Sequence, residues 1–289
     1  MAVGIIGGSG LYALAGLTET RWERVASSFG MPSDDFLFGT LGGREVVFLP
    51  RHGRGHRLAP GDINYRANID AFKRIGVTDL ISVSAVGSLE ERLSPGTFVI
   101  VDQFIDRTVG RERSFFGNGC VAHVAFAEPV CARLGQHLAQ AARDAGIAAV
   151  SGGTYLVMEG PQFSTRAESQ LYRQWGAQVI GMTNLPEARL AREAELCYAT
   201  VAMVTDYDGW HPHHGAVTVA EILATLAANA TRMRTLLEWA LPRVGSDGHA
   251  AGCTCRRALD HALLTAPEAR DPHLVARLDA VAGRVLSAA

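Results

Sequence analysis

Residues 197–210 read CYATVAMVTDYDGW, in which an uncharged apolar run leads into two closely spaced acids. The run is typical of a strand that is buried on both faces of a sheet. Asp206 and Asp208 follow two residues apart, so we expect their side chains on the same side of the strand end. Buried acids are costly unless they are paired, protonated or bound to a ligand, so the pattern favours a ligand-binding or proton-transfer site. A solvated turn at Gly209 is the alternative that this stretch alone leaves open.

Shorter apolar runs alternate with amphipathic stretches along the rest of the chain. Strands are predicted at 3–6, 45–49, 79–83, 98–101, 153–158, 178–180 and 197–204, and helices at 64–76, 128–145, 164–175, 186–195 and 218–240. Thr218 and Glu221 form a capping-box pattern at the start of the last of these helices. The alternation predicts an α/β fold with a mostly parallel sheet.

Composition places the chain among globular proteins with a sizeable core. Of its 289 residues, 48% are hydrophobic and 19% are charged, and the net charge of −2 gives no bulk attraction to nucleic acid. No apolar run reaches the roughly 20 residues that a membrane-spanning helix needs, and no secretory signal is recognisable. Five scattered cysteines fit a reducing compartment, so a cytoplasmic location with neither nucleic-acid nor membrane partners is predicted.

The composition changes near residue 245, where SDGHAAG at 246–252 reads as a linker. We predict a main domain over 1–245, followed by the linker and a helical C-terminal extension over 246–289. Cys253 and Cys255 in this extension admit three states: a strained disulfide, a metal site with His249 or His261, or reduced thiols. Reduced thiols are the default in the cytoplasm, and no metal site is predicted.

Small and polar residues follow several of the predicted strands. They are Ser9, Arg51, His52, Ser84, Ala85 and Thr183. Because ligands bind outside the carboxyl ends of strands in open α/β sheets, we expect these residues to meet. Their hydroxyls, backbone amides and a guanidinium suited to bidentate contacts form an oxyanion pocket beside the separate acidic pair. A simple tight turn at the glycine-rich loop and a solvated basic loop at Arg51 are the alternatives.

The glycine-rich loop also matches a loose dinucleotide-binding fingerprint, Gly8-x-Gly10-x-x-Ala13. In that motif an acid after the second strand binds a ribose, whereas the strand at 45–49 leads into proline, arginine and histidine. A non-catalytic nucleotide-binding protein is therefore the weaker hypothesis.

Seven short motifs give the chain a specific resemblance. They are GIIGGSGL at 4–11, PRHGR at 50–54, NYRAN at 64–68, VDQFIDRT at 101–108, EGPQFS at 159–164, GMTNLPE at 181–187 and TDYDGW at 205–210. With these motifs the chain resembles the trimeric purine nucleoside phosphorylases, and most closely the methylthioadenosine phosphorylases among them, over about residues 3–243. The resemblance implies a three-layer fold in which helices flank a central mixed, largely parallel sheet, with residues 1–245 as the catalytic domain.

The resemblance also implies a role for each matching residue. A phosphate pocket is implied for Ser9, Arg51, His52, Ser84, the Ala85 amide and Thr183. Contacts with the nucleoside are implied for Phe163, Ser164, Met182, Asp206, Asp208, His123, Val219, Ile222 and Leu223. Among these, Phe163 is expected to contact the purine, Met182 the ribose, and His123 the 5′ end of a neighbouring subunit's substrate. The three apolar residues at the end of the list are expected around a 5′-methylthio group.

The implied activity is phosphate-dependent cleavage of S-methyl-5′-thioadenosine to adenine and 5-methylthioribose 1-phosphate. Inorganic phosphate is then a co-substrate, and no other cofactor is expected. Asp206, with a pKa raised by burial and by its neighbour, is expected to protonate purine N7, and Asp208 to accept from the 6-amino group.

A carboxylate would repel a 6-oxo group, so adenine is the expected base. A broader phosphorylase acting on adenosine, inosine or another 5′-substituted adenosine is the alternative. An apolar wall discriminates between 5′ substituents that differ by one methylene by only about 1–3 kcal/mol of binding free energy. The resemblance implies a homotrimer and leaves open a dimer of trimers.

Overall fold

A computed structural model describes residues 2–8, 16–212, 219–244 and 253–287, and the side chains of the last long helix from residue 224 onward. Within these residues, eleven strands form one sheet. The strands are β1 (Val3–Gly7), β2 (Thr18–Glu23), β3 (Phe36–Leu41), β4 (Arg44–Pro50), β5 (Asp79–Ser88), β6 (Phe98–Val101), β7 (Gln103–Arg107), β8 (Ala149–Ser151), β9 (Thr154–Met158), β10 (Val179–Gly181) and β11 (Cys197–Tyr207).

The described part of the chain also contains seven α-helices. They are α1 (Tyr65–Ile75), α2 (Ala132–Asp144), α3 (Arg166–Gln174), α4 (Asn184–Glu193), α5 (Val219–Ala240), α6 (Pro272–Arg277) and α7 (Asp279–Leu286). Every strand and helix expected from the sequence up to residue 240 is present, with ends shifted by a few residues. No helix in the described ranges has the length and hydropathy of a membrane span.

The sheet is mixed and largely parallel, as predicted. Its main path runs β2-β3-β4-β1-β5-β10-β9-β7, while β11 pairs with β5 and β6, and β8 pairs with β6. Among the described strands of this sheet, the antiparallel pairs are β2–β3, β3–β4, β5–β10 and β6–β11.

Helices cover both faces of this sheet. Along β1, Ile6 packs into a cluster that includes residues of α1 and α4, whereas Ile5 packs into a cluster that includes residues of α2 and α5. This alternation places one apolar layer on each face, because neighbouring strand residues point in opposite directions. The chain thus folds as a three-layer α/β protein.

Local sequence signals explain where several helices begin and end. The Asn64 side chain accepts a hydrogen bond from the amide of Ala67 at the start of α1, and Gly76 ends that helix in a left-handed conformation. Thr165 and Glu168 form a capping box at the start of α3. The capping box predicted at Thr218 lies outside the described residues.

Four strands were not predicted from the sequence, namely β2, β3, β7 and β8. All residues of β2 are exposed, and charged and polar side chains fill most of it, so it has no apolar alternation to detect. The strand β8 has only three residues and pairs with β6 alone. Such short or edge strands owe their conformation to the neighbour that they pair with rather than to their own pattern.

The strand β5 marks a fork in the sheet. Its first five residues, 79–83, pair with β1, whereas its last two, 87–88, pair with β10. Its other edge pairs with β11 throughout. Ser84–Val86 therefore face a gap between β1 and β10, which is the kind of switch point where α/β sheets bind ligands.

The C-terminal segment packs against the main body of the chain. Leu259, Leu278 and Val281 belong to the same apolar cluster as residues of α1 and α4. The side chain of Arg284 forms an ion pair with Glu195, which follows α4. The division into 1–245 and 246–289 stays a prediction, and the proposed linker lies outside the described residues.

Candidate active site

Arg51 follows β4 directly, and its side chain is completely buried. Its guanidinium forms a bidentate ion pair with Glu187 of α4, at 2.7 Å from Nε to Oε2 and 3.0 Å from Nη2 to Oε1. Nη2 also donates to Ser82 Oγ, and Nη1 donates to the Val83 carbonyl. The bidentate contact therefore goes to an internal carboxylate and not to a ligand. The second hydrogen of Nη1 has no partner among the described residues, and a Cβ on Gly8 would lie only 3.2 Å from this nitrogen.

Glu187 is as completely buried as Arg51 and is saturated with donors. Beyond its two contacts with the guanidinium, it accepts hydrogen bonds from Ser82 Oγ at 2.9 Å and from the Tyr198 hydroxyl at 2.8 Å. Burial lowers the pKa of Arg51, but the charge of Glu187 raises it overall. Hydrogen bonds to the remaining polar atoms help to offset the desolvation cost of a buried ion pair, and both carboxylate oxygens of Glu187 have such partners.

His52 lies beside this ion pair as a neutral imidazole. Its Nδ1 is 2.9 Å from the Leu58 carbonyl oxygen, which can only accept, so Nδ1 carries the proton. Burial, together with the nearby charges of Arg51 and His56, lowers the pKa of His52 to about 4. At neutral pH the second ring nitrogen, Nε2, is therefore an acceptor. A ligand must offer it a hydrogen.

Two hydroxyls converge at the fork of the sheet. Ser84 Oγ on β5 lies 3.5 Å from Thr183 Oγ1, which follows β10, and 3.1 Å from the hydroxyl of the buried Tyr155. Tyr155 occupies the space beside Gly181, where a Cβ would lie 2.0 Å from its hydroxyl oxygen, so glycine is required there. Ala85 follows Ser84 at the fork and is half-buried.

We call Arg51, His52, Ser84 and Thr183 the anion side of the site. Arg51 and His52 follow β4 and Thr183 comes soon after β10, as predicted, whereas Ser84 lies inside β5, which continues to Ser88 beyond its predicted end. Ser9, the remaining side chain predicted for this pocket, lies outside the described residues.

The two acids of the opening motif lie together against Gly87. A register shift between Val204 and Asp206 bulges β11 at its end. A Cβ on Gly87 would lie 3.3 Å from Asp206 Oδ2 and 3.4 Å from Asp208 Cβ. Both acids therefore lie beside Gly87, and the missing side chain of this glycine leaves room for them.

The two acids differ in their surroundings. Asp206 is half-buried, and its Oδ1 accepts a hydrogen bond from Thr205 Oγ1 at 2.6 Å. Asp208 is 5% exposed, and its Oδ2 is buried with no hydrogen-bond partner among the described residues. Burial raises the pKa of Asp208, and the nearby hydroxyls of Ser169 and Ser164 lower it by less. The raised pKa expected at Asp206 stays a prediction.

Three further predicted residues lie near the acids or at the end of β10. The Ser164 carbonyl oxygen is 3.6 Å from the position of a Cβ on Gly209, next to Asp208, and the preceding Phe163 is 49% exposed. Met182 follows β10, and its sulfur lies where a Cβ of Gly160 would be, at 2.5 Å. We call Asp206, Asp208, Phe163, Ser164 and Met182 the acid side of the site.

A buried arginine that sequence reasoning missed holds the loops behind Met182. The Arg111 guanidinium donates to the carbonyl oxygens of Met182, Leu185 and Glu159 and forms an ion pair with the Glu159 carboxylate at 2.9 Å. It also donates to the Tyr65 hydroxyl. Arg111 therefore ties the segment after β9 to the segment after β10. Nothing in its local sequence distinguishes it from an exposed arginine.

The remaining predicted residues are not joined to the site by the described structure. His123 is exposed, and its amide donates to the Ala262 carbonyl in the C-terminal segment. Val219, Ile222 and Leu223 belong to the first turns of α5, whose side chains lie outside the described residues. Their expected role around the 5′ group stays a prediction.

Four cysteines offer a separate set of potential metal ligands. Among the described residues, Cys131, Cys197, Cys253 and Cys255 form the one group with closely spaced ligand atoms. His261, one of the two histidines considered as a metal ligand beside the C-terminal cysteines, is not in this group, and His249 lies outside the described residues.

The fold and the site define an α/β enzyme with hydroxyls, a buried guanidinium and two carboxylates around the fork of a mixed sheet. The model of the phosphorylase superfamily matches residues 2–241, and the chain belongs to this family. The chain is 60% identical to the S-methyl-5′-thioadenosine phosphorylase of Cereibacter sphaeroides over 284 residues, covering 98% of each protein. It is also 60% identical to the protein of the same name from Bradyrhizobium diazoefficiens over 293 residues, again covering 98% of each.

Solved structures of methylthioadenosine phosphorylases also match most of the chain. A methylthioadenosine phosphorylase from an Antarctic soil metagenomic library superposes with a TM-score of 0.90 at 47% identity, covering 96% of this chain and 98% of that one. A variant of the adenosine/methylthioadenosine phosphorylase from Schistosoma mansoni, in complex with methylthioadenosine, matches with a TM-score of 0.79 at 39% identity. That match covers 85% of this chain and 92% of the other.

Proposed function

We propose that this protein cleaves S-methyl-5′-thioadenosine with inorganic phosphate, releasing adenine and 5-methylthioribose 1-phosphate. The observation that carries the proposal is the meeting of the anion side and the acid side at one fork of the sheet. Phosphorolysis of an N-glycoside needs both, because an oxyanion attacks the sugar while the departing base takes up a proton. The names of the relatives support the same reaction.

Phosphate is proposed to bind at the anion side. Ser84 and Thr183 supply hydroxyl donors, and Arg51 supplies the one free hydrogen of Nη1 together with its buried charge. His52 Nε2 accepts the hydrogen of a protonated phosphate oxygen, which leaves the unprotonated oxygens for the donors and for attack. The bound anion also stabilises the positive charge that develops on the ribose.

The purine is proposed to bind at the acid side. Asp206 protonates N7, which turns the departing purine from an anion into a neutral molecule. The unpartnered Oδ2 of Asp208 accepts from the 6-amino group, and this contact satisfies a buried atom that otherwise lacks a partner. Phe163 and Met182 are proposed to contact the purine and the ribose, with Ser164 beside the base.

One assay tests the reaction. Adenine release from S-methyl-5′-thioadenosine is followed with and without phosphate in phosphate-free protein. The proposal predicts release only with phosphate, and formation of 5-methylthioribose 1-phosphate in equal amount. Release that does not depend on phosphate would identify a hydrolase, and binding of a dinucleotide without any release would identify a nucleotide-binding protein.

The choice of substrate needs its own comparison. An acceptor at Asp208 favours a 6-aminopurine, so we propose that inosine is a poor substrate. S-methyl-5′-thioadenosine and adenosine differ at the 5′ side, where Val219, Ile222 and Leu223 are proposed to form an apolar wall. Comparing kcat/KM for the three nucleosides decides between a methylthioadenosine phosphorylase and a broader enzyme, and inosine as the best substrate would contradict the base assignment.

We further propose a homotrimer in which His123 reaches the 5′ end of a neighbour's substrate. Support comes from the surface around His123, where Val121 and Leu264 are exposed apolar residues joined by a backbone hydrogen bond. Light scattering tests the assembly and separates a trimer from a dimer of trimers. The cytoplasmic location and the lack of any cofactor besides phosphate stay predictions from the sequence.

A further inference from the structure

Four cysteine sulfurs from three distant parts of the chain meet beneath the C-terminal segment. Cys131 lies at the start of α2, Cys197 is the first residue of β11, and Cys253 and Cys255 come from the C-terminal segment. The Cys131 amide donates to the carbonyl oxygen of Tyr198, which fixes the first two cysteines side by side. Cys253 Sγ lies 3.3 Å from Cys197 Sγ and 3.7 Å from Cys131 Sγ, and all four sulfurs lie within 4.8 Å of one another.

This spacing is that of a tetrahedral metal centre. A zinc ion binds thiolate sulfur at about 2.3 Å, which places the sulfurs of a regular tetrahedron about 3.8 Å apart. A disulfide needs sulfurs about 2.0 Å apart, well below the separations found here. Structural zinc sites are closed and four-coordinate, and three of these four cysteines are buried while Cys253 is half-buried.

Positive charge lies beside the sulfurs. The Arg133 guanidinium, which pairs with Asp79, is also hydrogen-bonded to the Cys197 sulfur, and Arg192 is close enough for its charge to act on Cys255. Four thiolates around a divalent ion carry a net charge of −2, which the two neighbouring guanidinium groups offset in part, because Arg133 is also paired with Asp79. Soft thiolate ligands in tetrahedral geometry select zinc among the common structural metals.

We propose that Cys131, Cys197, Cys253 and Cys255 hold one structural zinc ion that fastens the C-terminal segment to β11 and α2. Binding releases the four thiol protons and leaves the oxidation state of sulfur and metal unchanged. The site involves none of the residues assigned to catalysis, so it stands independently of the proposed function. This proposal replaces the expectation of no metal site. It also replaces the alternative in which Cys253 and Cys255 bind a metal together with a histidine.

Metal analysis of the full chain tests the proposal. Untagged protein purified in reducing buffer without chelator is expected to contain about one zinc per chain by elemental mass spectrometry. Cys255→Ser and Cys253→Ser are expected to lose most of it. Cys120→Ser is the matched control, because Cys120 is a buried cysteine outside the group, and it is expected to keep its zinc.

Cobalt replacement and stability give readouts that do not depend on activity. Cobalt added to the metal-free wild-type chain is expected to give the strong visible bands and sulfur-to-metal charge-transfer absorption of a tetrahedral thiolate site. A strong chelator is expected to lower the Tm of the wild type and of Cys120→Ser, and to leave that of Cys253→Ser unchanged. Since Cys253 is half-buried, its serine variant keeps the test available if Cys255→Ser fails to fold.

Two results would overturn the proposal. The first is a wild-type chain that contains no zinc, binds no cobalt, and has an intact mass reduced by two hydrogens for each disulfide formed among the four cysteines. The second is zinc that stays at the wild-type level in both Cys253→Ser and Cys255→Ser.

Discussion

The two sides of the active site hold their charges in different ways. On the anion side, Arg51 and Glu187 are both completely buried and satisfy each other with two hydrogen bonds. On the acid side, Asp208 is almost as deeply buried, but its Oδ2 has no partner in the described structure. The charges on the anion side are therefore balanced without a ligand, whereas the acid side holds a buried acceptor that a ligand can satisfy.

The anion side is thus preorganised for phosphate, whereas the acid side recognises the base. A charge held in place before phosphate arrives costs no reorganisation when the reaction begins. An acceptor that lacks a partner discriminates strongly between bases, because a base without a donor leaves it unpaired. We thus expect substitutions on the anion side to change the stability of the fold and the binding of phosphate. Substitutions on the acid side should change turnover and the choice of base.

The largest effect is expected from Glu187→Gln. This change removes the charge that balances Arg51 and turns amide hydrogens toward donors, so the free energy of unfolding should fall by about 3–5 kcal/mol. Urea denaturation measures it, with the exposed Glu268→Gln as a control expected to change it by less than about 0.5 kcal/mol. A loss below about 1 kcal/mol would show that the anion side does not depend on this ion pair.

The contrast between the two sides also marks what the sequence can predict. Asn64 and Gly76 delimit α1 through local hydrogen bonding and backbone conformation, and the uncharged run of β11 predicted a buried strand. Arg51 and Glu187 are 136 residues apart, and no local pattern connects them. The acids were predicted to share a side because strand geometry is local.

Other features depend on tertiary contacts in the same way. The exposed edge strand β2 has no apolar alternation and exists through its pairing with β3. Tyr155 matters because it lies against Gly181 and Ser84, which come from two other strands. The four clustered cysteines looked scattered in the sequence because three separate segments supply them.

The second largest effect is expected from Asp206→Asn. An amide cannot give N7 a proton, so kcat should fall by at least about 10²-fold while the KM for phosphate barely moves. Steady-state kinetics with both substrates measure the two parameters separately. Asp144→Asn, an exposed acid at the end of α2, is the control and should keep wild-type kcat. An Asp206→Asn enzyme with intact turnover would assign the proton to another group.

A smaller effect is expected when the pH is changed, because the KM for the nucleoside should depend on the protonation of Asp208. Because burial raises the pKa of Asp208, this carboxyl takes up a proton at a higher pH than an ordinary aspartate does as the pH falls. A protonated carboxyl is a poorer acceptor, so the KM for the nucleoside should be lowest above that pKa and rise as the pH falls through it. Measurements at saturating phosphate, from neutral pH down toward the ordinary aspartate pKa of about 3.9, follow this change.

The matched variant for this prediction is Asp208→Asn. It should raise the KM for the 6-aminopurine nucleoside by roughly tenfold and remove the rise of this KM at low pH. Because an amide can also donate, the variant should also increase kcat/KM for inosine relative to that for adenosine. If the variant shows the same rise in KM at low pH as the wild type, then a group other than Asp208 titrates there.

The smallest effect is expected from Tyr155→Phe, which tests whether the anion side is tuned by single hydrogen bonds. The change removes the hydroxyl 3.1 Å from Ser84 Oγ, so the KM for phosphate should rise by about fivefold, equivalent to one hydrogen bond of about 1 kcal/mol. The KM for the nucleoside should stay the same. Tyr207→Phe is the matched control, because its hydroxyl donates to the Glu91 carbonyl beyond the acids and should leave phosphate binding unchanged. An equal rise in both variants would mean that the two sides of the site respond as one unit.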